Sequence, residues 1–146
     1  MSTKTEQLLE KIGEVFPQGD TLNVSGSVVL TLADWDWLSA AQCLRDHEAF
    51  RFEQLIDLTV VDYLGYGHSE WNTHSVSLTG FGRATDYEGS QEMPANRFEV
   101  VVQLLSVELN QRLRLKTRLA ENDSPALPSL TDIWPNANWY EREAFD

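Results

Sequence analysis

The chain has 146 residues, with 23 acidic against 11 basic side chains and a formal charge of −12. That size gives one domain with room for a core, and the acidic balance argues against nucleic acid, whose phosphates require clustered cations, and against direct docking on anionic lipid. The lone Cys43 excludes an internal disulfide and favours a reducing compartment. No apolar run reaches the roughly twenty residues of a membrane span, and MSTKTEQLLE lacks the basic-then-apolar order of a signal peptide, so a soluble, cytoplasmic polypeptide is expected.

Leu8, Leu9, Ile12, Val15 and Phe16 share one helical face over residues 3–16, and Pro17 and Gly19 end that helix. Leu22–Val24 and Val28–Leu32 read as strands joined by the turn-rich Ser25-Gly26-Ser27, a hairpin. A second helix follows, expected to be capped by Asp34 and to carry an inner stripe of Trp37, Leu38, Ala41 and Leu44. From Phe52 to Leu64, Ile56, Leu58 and Val60 alternate with Asp57, Thr59 and Val61, predicting a strand with an apolar face.

Residues 65–96, with five glycines and Pro94, read as a long loop with a short ribbon around His74 to Leu78. Phe98–Leu109 and Arg112–Leu119 flank Asn110-Gln111 as a hairpin, and 122–129, with Pro125 and Pro128, is an extended connector. The order α-β-β-α-β-β-β predicts an α+β two-layer sandwich: a mixed, mostly antiparallel sheet with its helices on one face. A domain of residues 1–128 and a docking segment of 129–146 follow from this reading.

The stretch PSLTDIWPNANWYEREAFD, Pro128 to Asp146, holds two of the five tryptophans and a dense charge run. Free tails are polar and poor in rings, so this one docks on something. A short turn or helix lies between Pro128 and Pro135, and a final helix begins near Asn136 or Asn138, either of which can cap it. On that helix Trp139, Arg142, Glu143 and Asp146 share a face.

The run Ser129-Leu130-Thr131-x-Ile133-Trp134-Pro135-x-Ala137-Asn138-Trp139-x-Glu141-Arg142-Glu143-x-Phe145-Asp146 resembles the signature of the C subunit of the proton-pumping NADH–quinone oxidoreductase, respiratory complex I. Family members continue with a Gly and a His-Pro-x-Leu-Arg-Arg element, so the resemblance covers the N-terminal domain and the first part of the signature. It implies an α+β subunit of the hydrophilic arm that holds no cofactor, with FMN, the iron–sulfur clusters and quinone bound by other subunits. It also implies packing against the large D subunit of the complex, which helps form the quinone pocket, and against neighbouring iron–sulfur subunits. The place implied is the cytoplasmic face of the inner membrane, with membrane association only through the complex. Equivalent subunits of membrane-bound hydrogenase or formate-linked complexes, and a free-standing acidic adaptor, are the rival readings.

Candidate interface residues are Trp134, Pro135, Trp139, Glu141, Arg142, Glu143 and Asp146 in the tail, with Arg112, Arg114 and Lys116 upstream. Trp134 and Trp139 can plug the domain's own sheet or anchor a partner, one role for each ring. Arg112, Arg114, Lys116 and Arg118 alternate with Leu113, Leu115 and Leu119, which puts four of the eleven cations on one strand face. With Asn110-Gln111 as the turn, they face Leu109, Val107, Leu105 and Gln103. Their stems can simply cover aliphatic neighbours; the sharper expectation is a contact with Glu141 and Glu143 or with an acidic partner.

Glu143 and Asp146 as an acid–base pair lack a histidine in their segment. His68, Glu70 and His74 have irregular spacing and no fourth ligand for a metal. Asp57 and Asp62 are expected at loop or sheet-edge positions, and Cys43, without a CxxC partner, as a small buried residue. Gly80-Phe81-Gly82 lacks the third glycine and the helix of a phosphate cradle, and no GxSxG elbow is present.

Overall fold

A capping box starts the first helix. In the computed structural model, which describes residues 3–64, 76–77, 80–81 and 95–146, α1 spans Lys4–Val15. The Glu6 amide donates to Thr3 Oγ1 and the Thr3 amide donates to the Glu6 carboxylate. Leu8, Ile12 and Phe16 are buried, with Leu9 packed at the margin of the core.

The hairpin forms where expected. Strands β1 (Asp20–Val24) and β2 (Ser27–Leu32) pair antiparallel through Ser25 (φ 51°) and Gly26 (φ 83°). Both turn residues have left-handed φ, the two-residue turn whose twist matches that of its strands.

Asp34 does not cap the second helix. It opens a single 3-10 turn, Asp34–Asp36, and α2 (Trp37–Asp46) follows with no side-chain bond closing either N-terminus. A helix starting at Trp37 buries positions at intervals of three and four, Trp37, Ala40, Ala41 and Leu44. Leu38 lies about 100° off that stripe and is 44% exposed, so Ala40 holds the place predicted for it.

Strand β3 (Gln54–Asp62) departs from strict alternation at a bulge between Leu55 and Asp57. The extra residue turns Ile56 outward and leaves Leu55 and Leu58, three apart, on the core side. A two-residue ribbon, β4 (Val76–Ser77) with β5 (Gly80–Phe81), falls where a short ribbon was expected. The rest of 65–94 lies outside the described residues, with His68, Glu70 and His74 in it.

Strands β6 (Phe98–Ser106) and β7 (Gln111–Arg118) make the second hairpin, with a turn wider than predicted. Val107–Asn110 form it, closed by Asn110 at φ 50°, and Ser106 pairs with Gln111. Glu53 accepts from the amides of Val107 and Glu108, and Ser106 Oγ accepts from that of Leu109. These bonds hold the four-residue turn and slide the register. Arg112, Arg114, Lys116 and Arg118 therefore face Leu105, Gln103, Val101 and Glu99 rather than the residues predicted.

The five-stranded sheet has the order β1-β2-β7-β6-β3, antiparallel except for the β2–β7 pair, and does not close. Val28, Leu30, Leu113, Leu115, Leu104, Val102, Leu55 and Leu58 join the buried residues of α1 and α2 in one core. The helices thus share a face, the α+β two-layer arrangement. Leu130, Ile133, Trp134 and Ala137 complete the same core, and α3 (Ala137–Phe145) packs against β3.

Candidate interaction surface

The tail is fastened to the edge strand by its side chains. Trp134 is 2% exposed, and its Nε1–H donates to the Phe52 carbonyl at 2.9 Å. Asn136 sits at the N-cap of α3 but does not cap it. Its Nδ2 donates instead to the Leu55 carbonyl at 2.7 Å, beside the bulge. Since β3 has a sheet neighbour on one side only among the described residues, the Asn136 bond satisfies a backbone acceptor of an unpaired edge, while Phe52 lies just before the strand. Arg45 Nη1 donates to the Ile133 carbonyl at 3.2 Å. Replacing Asn136 with alanine is expected to cost about 1 kcal/mol, read as a lower urea midpoint at unchanged slope.

Glu141 is tied internally. Its two oxygens accept from the Leu130 amide and from Ser129 Oγ, both at 2.7 Å, which locks α3 to the connector. Outward lie Pro135, Arg142, Glu143 and Asp146, with Trp139 72% exposed and the Arg142 guanidinium 5.6 Å from its ring centroid. The two tryptophans therefore divide: Trp134 is an internal wedge, and Trp139 presents a ring to the outside.

Burial along β7 alternates as period two requires, with Leu113, Leu115 and Thr117 buried on the side opposite the four cations. The predicted contact with Glu141 and Glu143 does not form, because Glu141 belongs to the connector. Glu99 takes that place. Only 6% exposed, it accepts from Tyr63 Oη at 3.0 Å and pairs with Arg118 at 3.2 Å and Lys116 at 3.6 Å. Arg118 also stacks over Tyr63, 4.2 Å from its centroid. Glu99 escaped sequence reasoning because the assumed turn put it outside the pairing; with the true register it is the residue opposite Arg118.

Asp57 is exposed, while Asp62 holds Arg97 through two bonds of 2.5 and 2.6 Å at the sheet edge. The Arg97 guanidinium keeps the Asp62 carboxyl below its ordinary range. Its folded value lies under its unfolded one, so the contribution is present above about pH 4 and fades as pH falls through the depressed value. Asp62→Asn should remove that part of the acid loss, seen as a flatter midpoint-against-pH curve below about pH 4.

Cys43 is half-buried, and burial, aided by Asp46, raises its thiol above the usual value. Among the described residues no three His, Cys, Asp or Glu side chains gather as a metal site. A cavity of about 590 Å³ between β3, β6, the connector and α3 is lined by Leu58, Val60, Val100, Leu119 and Phe145. Its Glu141 carboxylate is already engaged.

An α+β module with an unclosed five-stranded sheet and an aromatic tail locked along its edge strand is the class these features define. The same architecture occurs in the membrane-bound sulfane sulfur reductase, an archaeal respiratory membrane complex. There the TM-score is 0.66 at 20% identity, covering 99% of this chain and 67% of that one. Residues 30–146 match the family of the respiratory-chain NADH dehydrogenase 30 Kd subunit, and the chain belongs to that family. Its relatives include the C subunit of NADH-quinone oxidoreductase from Xanthomonas euvesicatoria pv. vesicatoria, 44% identical over 83% of this chain and 55% of that protein. The equivalent protein of Xylella fastidiosa strain 9a5c is 37% identical over 100% of this chain and 66% of its own length. That of Vesicomyosocius okutanii is 40% identical, over 97% and 67% respectively. The chain thus spans between about half and two thirds of these curated relatives. No helix among the described residues is long and apolar enough to cross a membrane.

Proposed function

We propose that this chain is the N-terminal α+β part of a non-catalytic structural subunit in the peripheral arm of a proton-pumping NADH–quinone oxidoreductase. It packs against the neighbouring iron–sulfur subunits and the large D subunit, at the cytoplasmic face of the inner membrane and bound there only through the complex. FMN, the iron–sulfur clusters and quinone are held by other subunits. This one acts indirectly, buttressing them so that tunnelling distances and the quinone cavity keep their shape. Family membership supports the reading. The observation that carries it is the exposed Trp139–Arg142 face on a tail immobilised by Trp134, Asn136 and Glu141. A rigidly mounted, exposed aromatic beside a guanidinium is a preferred interface anchor.

A tagged chain, expressed in its own cells, should co-purify with an NADH-oxidising assembly that contains the D subunit. Trp139→Ala should cut that recovery by about thirtyfold, the effect of some 2 kcal/mol at an interface. Its unfolding midpoint should stay nearly fixed, because the ring is exposed. Purification of the chain alone, or turnover of a nicotinamide substrate by it, would refute the proposal.

A further inference from the structure

The four cations of β7 are not equivalent. Lys116 and Arg118 are paired with Glu99. Arg112 is exposed and Arg114 half-buried, and neither forms an ion pair among the described residues. Arg114 Nε is itself buried and lacks a hydrogen-bond partner among the described residues. A guanidinium held partly out of water with unmet donors is destabilising unless an acceptor reaches it. The chain carries 23 acids, yet none supplies that acceptor among the described residues.

The surroundings are aliphatic. Val29 and Gln103 flank Arg114 in register, Leu22 lies beyond Val29, and Leu105 faces Arg112. Leu22 is 54% exposed. Same-face residues two apart on a strand stand about 7 Å from each other, so both guanidinium groups can converge on one short acidic stretch.

We propose that Arg112 and Arg114 form a carboxylate-binding site on the sheet face turned away from α1 and α2. Its occupant is an Asp or Glu of a partner protein, carried in a segment whose neighbouring side chains are aliphatic. Charge complementarity selects it. Both are cations without an ion pair among the described residues, on a chain of formal charge −12, and the planar fork of Arg114 suits the two oxygens of a carboxylate. The Gln103 amide adds a donor, and Leu22 and Leu105, exposed and half-buried, receive the apolar flanks. A lipid headgroup would offer the same anion, but a membrane plane would also meet the surrounding acids. This inference deepens the subunit reading and rests on it.

The test uses the tagged chain in its native assembly, with the photo-cross-linker p-benzoylphenylalanine placed at Leu22 or, as reference, at the exposed Phe145 of α3. From Leu22, a cross-link to an acidic, aliphatic-flanked peptide of another subunit is expected. Arg112→Gln/Arg114→Gln should reduce that product at least tenfold, and Arg114→Lys by less, while the Phe145 cross-link of the same variants persists and reports a folded, assembled chain. A neighbour captured from Phe145 but none from Leu22 overturns this site and leaves the subunit reading standing. Capture from neither position, with the chain purifying alone, defeats both. Cross-linking to the chain itself, to a peptide without Asp or Glu, or at a level indifferent to the arginines also overturns the site. So does arginine-dependent sedimentation with phosphatidylglycerol vesicles.

Discussion

Trp134→Ala is expected to lower the stability of the chain by about 4 kcal/mol, within the range for deleting a large buried ring. The ring is 2% exposed and shares its core with Leu55, Leu130 and Ala137. Its loss opens a cavity and strips the Phe52 carbonyl of its donor. Trp134→Phe separates the two effects: it keeps much of the ring volume and forfeits the hydrogen bond, for a loss of about 1–2 kcal/mol. Denaturant unfolding of both variants decides the point. If alanine costs no more than phenylalanine, the ring is not an internal wedge.

Glu99→Ala is expected to cost about 2–3 kcal/mol, less than a fully buried pair would because its cations are half in water. The side chains of Lys116 and Arg118 are 27% and 43% exposed, against 7% for Glu99. Removing the carboxylate leaves both cations without their counter-charge and Tyr63 Oη without its acceptor. Glu99→Gln should cost less, since an amide oxygen still accepts from tyrosine. The triple variant Glu99→Ala/Lys116→Met/Arg118→Met should recover much of the loss, because no orphaned charge remains. A triple variant less stable than the single one would show that packing of the stems, not charge, governs this face.

What the sequence revealed depended on how local each determinant is. The Ser25-Gly26 turn was legible because two left-handed residues are a chemical requirement of that hairpin. The alternation along β7 was equally plain. The register of that strand was not, because it depends on Glu53, far away in sequence, binding the turn amides. The outward turn of Ile56 has the same character, since a bulge is invisible to a period-two count. Asp34 and Asn136 both had the chemistry of a cap. One lies before the helix in a 3-10 turn, and the other found a better acceptor in Leu55. Division of labour between the two tryptophans required knowing which side of the tail meets β3. The Thr3–Glu6 capping box is not among the expectations from sequence, although its three-residue spacing is a signal that could have found it.

Strand β3 ends at residue 62, while Asn136, which meets its outer rim at Leu55, and Trp134, which holds Phe52 just before it, come about seventy positions later. During synthesis that rim stands naked until residue 136 clears the ribosome, a window in which stray strand pairing competes with maturation. The same closure immobilises the segment bearing Trp139. A half-made chain would therefore have neither a sealed sheet nor a stiff handle for its neighbours, and the order of events (fold first, recruit second) is written into the path of the backbone.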